Sequence, residues 1–299
     1  MKRWIFGWIL CFLAVSGFMA GGIWYALLLA AAAVQCGREF VSMAQAKGYK
    51  PSARIVTGMI IAFIVLASLP KFPGVINLPE TFPLSHYPIL LTVGICISFF
   101  RLMLRHESPP ATIADIASTI MGFIYVGWMA SHLMLMRNLA PIDCPPISNP
   151  LQQPGLAYLW VSFFIIWATD IFAYYFGKKF GKTKLYPAIS PKKTVEGAVA
   201  GLLASIFWAC VVVYAADHYV FPCHPFQFKF WQAPLMAIVV SVAAQLGDLC
   251  ESLLKRDAGM KDSSDVIPGH GGFLDRGDSL LFGAPIAYYW IKMVVLGIL

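Results

Sequence analysis

Apolar runs alternate with short polar connections along the whole chain, at about residues 4–20, 22–36, 55–70, 87–104, 113–136, 156–177, 195–216, 231–254 and 279–299. A helix of roughly 20 mostly apolar residues crosses about 30 Å of hydrocarbon. The pattern therefore predicts an all-α fold, a polytopic transmembrane helical bundle of about nine spans. Residues 4–34 form one unbroken run, too long for a single untilted crossing, and the Gly21-Gly22 pair is where it divides. Charge tests the alternation, because cytoplasmic loops collect Lys and Arg. With nine spans, only Lys71, Arg137 and Lys229 of the 22 basic residues fall in opposite-side loops, with Lys292 inside the last span. The N-terminus is expected in the cytoplasm and the C-terminus outside. An eight-span alternative with one long first helix relocates only Lys2 and Arg3.

Composition agrees: 59% of the residues are hydrophobic, 12% are charged and the mean hydropathy is +0.71, so lipid is the solvent and no sizeable soluble domain is expected. The net charge of +7 does not call for nucleic acid, since the basic residues sit in short loops where topology and anionic headgroups account for many of them. Met1-Lys2-Arg3 before an apolar run resembles a secretory signal, but without a convincing cleavage site it reads as an uncleaved first span. The seven cysteines show no metal-ligand spacing. Cys144 and Cys223 fall in predicted outside loops, where a disulfide is chemically permitted.

Polar residues of the first half assemble no visible site, so residues 1–150 read as a transmembrane scaffold and 151–299 as a catalytic region with its site on the cytoplasmic face. A Pro-rich loop around Pro141–Pro154 joins them. Chemistry gathers between Asp248 and Ser279, which hold seven carboxylates and four Lys or Arg residues. Asp248, Glu251, Ser252 and Lys255 fall on one helical stripe. A carboxylate at membrane depth is costly enough to point to function, the bland alternative being a buried ion pair such as Glu251 with Lys255. Asp275 and Asp278 are again three apart, although Asp278 or Ser279 could simply cap the last helix. Oxygen donors at Asp248, Asp275 and Asp278 suit a hard cation, Mg²⁺, with two cations as an alternative. The turn Pro268-Gly269-His270-Gly271-Gly272 can aim successive N–H groups at an anion, as a phosphate cradle.

A second constellation precedes it. Asp170 lies within a span, and Ser190-Pro191-Lys192-Lys193-Thr194 followed by Glu196 reads as an anion-binding helix entry with Thr194 as a cap. Many of the lysines here serve topology; Lys193 is the preferred functional one.

These segments resemble the phosphatidate cytidylyltransferases, or CDP-diacylglycerol synthases. The resemblance rests on Ser252, Lys255-Arg256, Lys261-Asp262, Pro268 to Gly272 and Asp275-Arg276-Gly277-Asp278. Upstream it takes in Asp170, Ala173, Tyr174 and Gly177, and the run Ser190 to Thr194 with Glu196-Gly197. It covers about the last 130 residues, and Gly277 departs from it, standing where the family has an apolar residue. It implies that CTP and phosphatidic acid react to give CDP-diacylglycerol and pyrophosphate. Such a transfer needs charge neutralisation and positioning more than covalent work by the protein. The candidate catalytic residues are Lys255, Arg256, His270, Arg276 and Asp170. Substrate phosphates would be bound by Ser190, Lys192, Lys193, Glu196, Ser252, Lys261, Gly271 and Gly272. Metal would be held by Asp248, Asp275 and Asp278. The expected partners are CTP, phosphatidic acid and membrane lipids, with a homodimer as the assembly and a bacterial inner membrane as the location. Two rivals share parts of the pattern. A CTP-dependent polyprenyl-alcohol kinase would release CDP, and a secondary transporter would need polar residues through its N-terminal spans, where this chain has few.

Overall fold

In the computed structural model the described residues are 12–71, 82–105, 110–141, 149–220, 227–267 and 271–298. Among them a helical stretch at 12–20 is followed by α1 (Gly22–Ala46), α2 (Ala53–Ser68), α3 (Phe82–Met103), α4 (Ile113–Asn138), α5 (Pro154–Phe180), α6 (Val195–His218), α7 (Gln232–Asp257) and α8 (Leu274–Trp290). Within the described residues each predicted span overlaps one of these helical stretches. Six of them are long and apolar enough to cross a membrane, and the protein is an all-α polytopic membrane protein. The predicted break at Gly21-Gly22 is real, with φ of 63° and 51° that suit a residue lacking Cβ.

Two helices run well past the apolar pattern, while α8 stops at Trp290, short of the predicted 299. The predicted 22–36 span continues to Ala46, and the helix predicted from 279 begins at Leu274. Backbone hydrogen bonding continues where side chains turn polar, so apolarity marks the hydrocarbon slab and not the helix. Asp275 thus lies in the first turn of α8, while Asp278 and Ser279 are a turn further in and do not cap it. The basic connection after α5 is a short antiparallel ribbon, β1 (Lys184–Tyr186) against β2 (Ser190–Thr194), with Lys184 opposite Thr194 and Tyr186 opposite Ser190.

The chain forms two compact units. One comprises Met1–Met134 with Leu254–Gly277, the other Leu135–Leu253 with Asp278–Leu299. The first packs Val56, Ile60, Phe63 and Ala67 of α2 and Phe123 of α4 in its interior. The second is organised by close approach of α5 and α6. A Cβ at Gly197 would sit 2.6 Å from the Ala173 carbonyl oxygen, and one at Gly201 2.6 Å from that of Thr169. Small residues one turn apart let two membrane helices meet backbone to backbone. At the entry to α6, Thr194 caps as expected, its side chain accepting from Gly197 N–H.

Candidate active site

The close α5–α6 crossing fixes the walls of a cavity of about 740 Å³ in the C-terminal unit. Asp170 and Tyr174 of α5, Ser190, Lys192 and Lys193 of β2, and Asp248 of α7 line it. Lys178, Lys184 and Gln245 line it too. The sequence pattern brought out Lys193 and left Lys178 and Lys184 as topology signals, because nothing in their spacing foretells a ribbon that brings Lys184 to the same space as Lys178 at the end of α5. Lys193 Nζ lies 2.7 Å from Asp248 Oδ2. Lys178, Lys184 and Lys192 form no ion pair among the described residues, which leaves the wall strongly cationic. Glu196, expected to meet phosphate, instead accepts from the N–H groups of Lys182 and Thr183 at 3.0–3.2 Å and ties the start of the ribbon to the first turn of α6.

Carboxylates converge in the same unit. Asp278 of α8 is buried, and its electrostatic neighbours are Asp248, Glu251 and Asp170. Gly247 makes this approach possible, because a Cβ there would sit 2.7 Å from the Asp278 carbonyl oxygen. Ser279 Oγ donates to Asp170 Oδ1 at 3.1 Å, and Ser279 N–H to Asp278 Oδ1 at 2.7 Å. Glu251 and Ser252 of α7 are buried as well. Four acids around one buried centre repel one another, and the donor set is all oxygen, the chemistry of a Mg²⁺ site. Among the described residues no three His, Cys, Asp or Glu side chains already form a cation cage.

In the N-terminal unit the predicted residues are held differently. Lys255 Nζ donates to Asp275 Oδ1 at 2.6 Å, and both side chains are largely buried. Asp275 Oδ2 accepts from Ser263 N–H at 2.9 Å, Ser263 Oγ at 2.9 Å and Gly272 N–H at 2.8 Å. Burial pushes this carboxyl up, but the Lys255 ammonium and the two N–H groups together outweigh it and hold it below its ordinary 3.8. Asp275 is thus engaged by protein donors on both oxygens, with a lone pair left on Oδ1. Gly271 has φ 79°, and a Cβ on Gly272 would collide with Ser263 Oγ and the Glu39 carboxylate. Arg256, Lys261 and Arg276 are exposed. At Gly277 a Cβ would meet nothing within 4 Å, so the family's side chain fits here. His270 lies outside the described residues, as do Cys144 and Cys223.

The residue that the sequence pattern missed is Glu39. It is 2% exposed on α1 and accepts hydrogen bonds from the segment before Asp275. With Arg38 it ended the apolar run, so it counted as the edge of a loop. The only local signal was a carboxylate in continuous register with a span.

The family described as the cytidylyltransferase family matches residues 1–294. The chain is 36% identical over 300 residues to the phosphatidate cytidylyltransferase of Synechocystis sp., covering 95% of this chain and 93% of that protein. It is similar as well to the phosphatidate cytidylyltransferase of Bacillus subtilis, at 36% identity over 236 residues, 76% of this chain and 80% of that one. The likeness to that of Staphylococcus saprophyticus is shorter, 45% over 172 residues, 58% of this chain and 57% of the relative.

Proposed function

The chain belongs to the cytidylyltransferase family, and from that membership we propose that it acts as a phosphatidate cytidylyltransferase. It transfers a cytidylyl group from CTP to phosphatidic acid, giving CDP-diacylglycerol and pyrophosphate for phospholipid synthesis. The observation that carries the reading to these residues is the cavity walled by Lys178, Lys184, Lys192 and Lys193 beside Asp170 and Asp248. An oxygen of the lipid phosphate attacks the α-phosphorus of CTP. The bond from that phosphorus to the bridging oxygen breaks, and pyrophosphate leaves with the electron pair. The nucleophile is already anionic and needs little base, so the cost lies in bringing polyanions together. Lys193 and the neighbouring lysines offset that repulsion, and Ser190 donates to a phosphate oxygen. Asp170, held by Ser279, fixes the acidic side of the cavity.

Asp248 and Asp278 would hold Mg²⁺, which when bound neutralises developing phosphate charge. Lys193 faces Asp248 across 2.7 Å and orients that carboxylate. A groove of about 790 Å³ on α5 and α6, lined by Phe172, Phe176, Leu203, Phe207 and Trp208, offers apolar surface suited to an acyl chain. We place the site at the cytoplasmic side of a bacterial inner membrane, where CTP is available and the basic loops are expected.

The test is conversion of radiolabelled CTP and phosphatidic acid by detergent-purified protein, with Mg²⁺ and with chelator. Metal-dependent CDP-diacylglycerol and pyrophosphate, lost in Asp278→Asn, support the reading. Formation of CDP with a phosphorylated lipid would overturn it in favour of a kinase, and no turnover of CTP by folded protein would overturn it outright.

A further inference from the structure

Glu39 receives five hydrogen bonds. Oε1 accepts from Ser264 Oγ at 2.7 Å, Phe273 N–H at 3.1 Å and Gln35 Nε2 at 3.2 Å. Oε2 accepts from Ser263 Oγ at 2.8 Å and Leu274 N–H at 2.8 Å. Four of these donors belong to a segment more than 220 residues away in sequence, two at its start and two at its end. One carboxylate therefore staples both ends of the segment that carries the glycine-dense turn. Between the staples, Ile267 and Gly271 form a bridge, with Ile267 N–H donating to Gly271 O at 3.0 Å.

The staple is connected to the charged pair. The Ser263 hydroxyl lies 2.8 Å from Glu39 Oε2 and 2.9 Å from Asp275 Oδ2. It has a single proton for the two acceptors, so it bridges the two carboxylates by donating to one or the other. Asp275 in turn holds Lys255. Gly272 fills the remaining gap against Glu39 and Ser263, where any Cβ would collide.

We propose that Glu39 is a positioning residue for the reaction, fixing Ser263, Ser264, Phe273 and Leu274 so that the adjoining Asp275–Lys255 pair stands preformed when phosphates arrive. This rests on the reading of that segment as part of the phosphate-handling machinery. Glu39 touches no substrate itself. A helix of the N-terminal region, which looked like plain scaffold, supplies the anchor for the C-terminal motif.

Glu39→Gln keeps the size but turns one acceptor oxygen into a donor facing three donors if it replaces Oε1, or two if it replaces Oε2. Hydrogen bonds to a charged group contribute about 1.5–3 kcal/mol, so kcat/KM should fall about 10- to 100-fold, with KM for CTP raised. Amide exchange at Phe273 and Leu274 should speed up while the thermal midpoint stays within a few degrees of wild type. Glu39→Asp, which keeps the charge, should recover part of the activity. Ser264→Ala, which removes one tie from the segment side, should cost about 3-fold in kcat/KM. Faster exchange in Glu39→Gln with wild-type kcat and KM overturns the positioning role. If Glu39→Gln does not fold, wild-type kinetics in both Glu39→Asp and Ser264→Ala overturn it equally. Wild-type protein inactive toward CTP and phosphatidic acid sinks the cytidylyltransferase reading, and the positioning role with it. Full turnover in Glu39→Gln sinks the positioning role alone.

Discussion

The C-terminal unit buries Asp278 among Asp170, Asp248 and Glu251, with Lys193 in contact with Asp248. The N-terminal unit surrounds Asp275 and Glu39 with hydroxyls, N–H groups and the Lys255 ammonium. Both are acidic centres in a chain with only 12% charged residues, yet their energetics are opposite. A carboxylate whose acceptors are filled stabilises the fold and is costly to remove. One that faces other carboxylates stores repulsion that an arriving cation relieves. The first arrangement builds a scaffold for chemistry, and the second waits for a ligand.

Replacing a single carboxylate in each centre should separate the two most strongly. Asp278→Asn is expected to lower turnover by about 10³-fold or more while leaving the thermal midpoint unchanged or higher, because it removes a like charge. Asp275→Asn should also abolish turnover, but with a loss of about 3 kcal/mol from the broken buried pair, seen in thermal unfolding with and without detergent-stabilising lipid. Equal destabilisation by the two substitutions would erase the distinction. The sign with pH follows from the lowered Asp275 value. Its contribution is complete above the ordinary 3.8 and is lost as pH falls through the lower folded value, so wild type and Asp275→Asn should converge in stability in strong acid.

Smaller effects sharpen the picture. Lys193→Ala should lower kcat/KM by about 10²-fold, and Lys193→Arg should restore little, since a planar fork does not replace a compact ammonium. At the lowest end, Gly277→Ala enters open space within a helix. It should stabilise by about 0.5–1 kcal/mol at unchanged activity, measured by thermal shift and turnover together.

Much of this was legible in the sequence, and for a physical reason. Crossing hydrocarbon demands continuous apolarity, so α1 to α8 announce themselves, and an acid inside such a run, Asp170 or Asp248, stands out against its cost. The β1–β2 ribbon was not legible. Its strands are three and five residues of Lys, Pro, Ser and Thr, without the alternation that marks a strand. Nor could pattern tell a ligand-facing carboxylate from a satisfied one. Asp275 and Asp278 sit in the same motif, and what separates them is their surroundings: Asp275 accepts from Ser263, Gly272 and Lys255, whereas Asp278 accepts from Ser279 N–H and faces three other acids. Glu39 was lost because its partners are far away in sequence and it lies just past the last apolar residue of its span.

The discontinuous make-up of the N-terminal unit bears on how the protein is made. Its residues up to Met134 leave the ribosome early, but Leu254–Gly277 belong to it too, and the donors that fill Glu39 arrive only with Ser263 to Leu274. During synthesis this carboxylate waits on its helix with four of its five donors untranslated. A nascent chain cut short before that segment would carry this acid with Gln35 alone among its five donors.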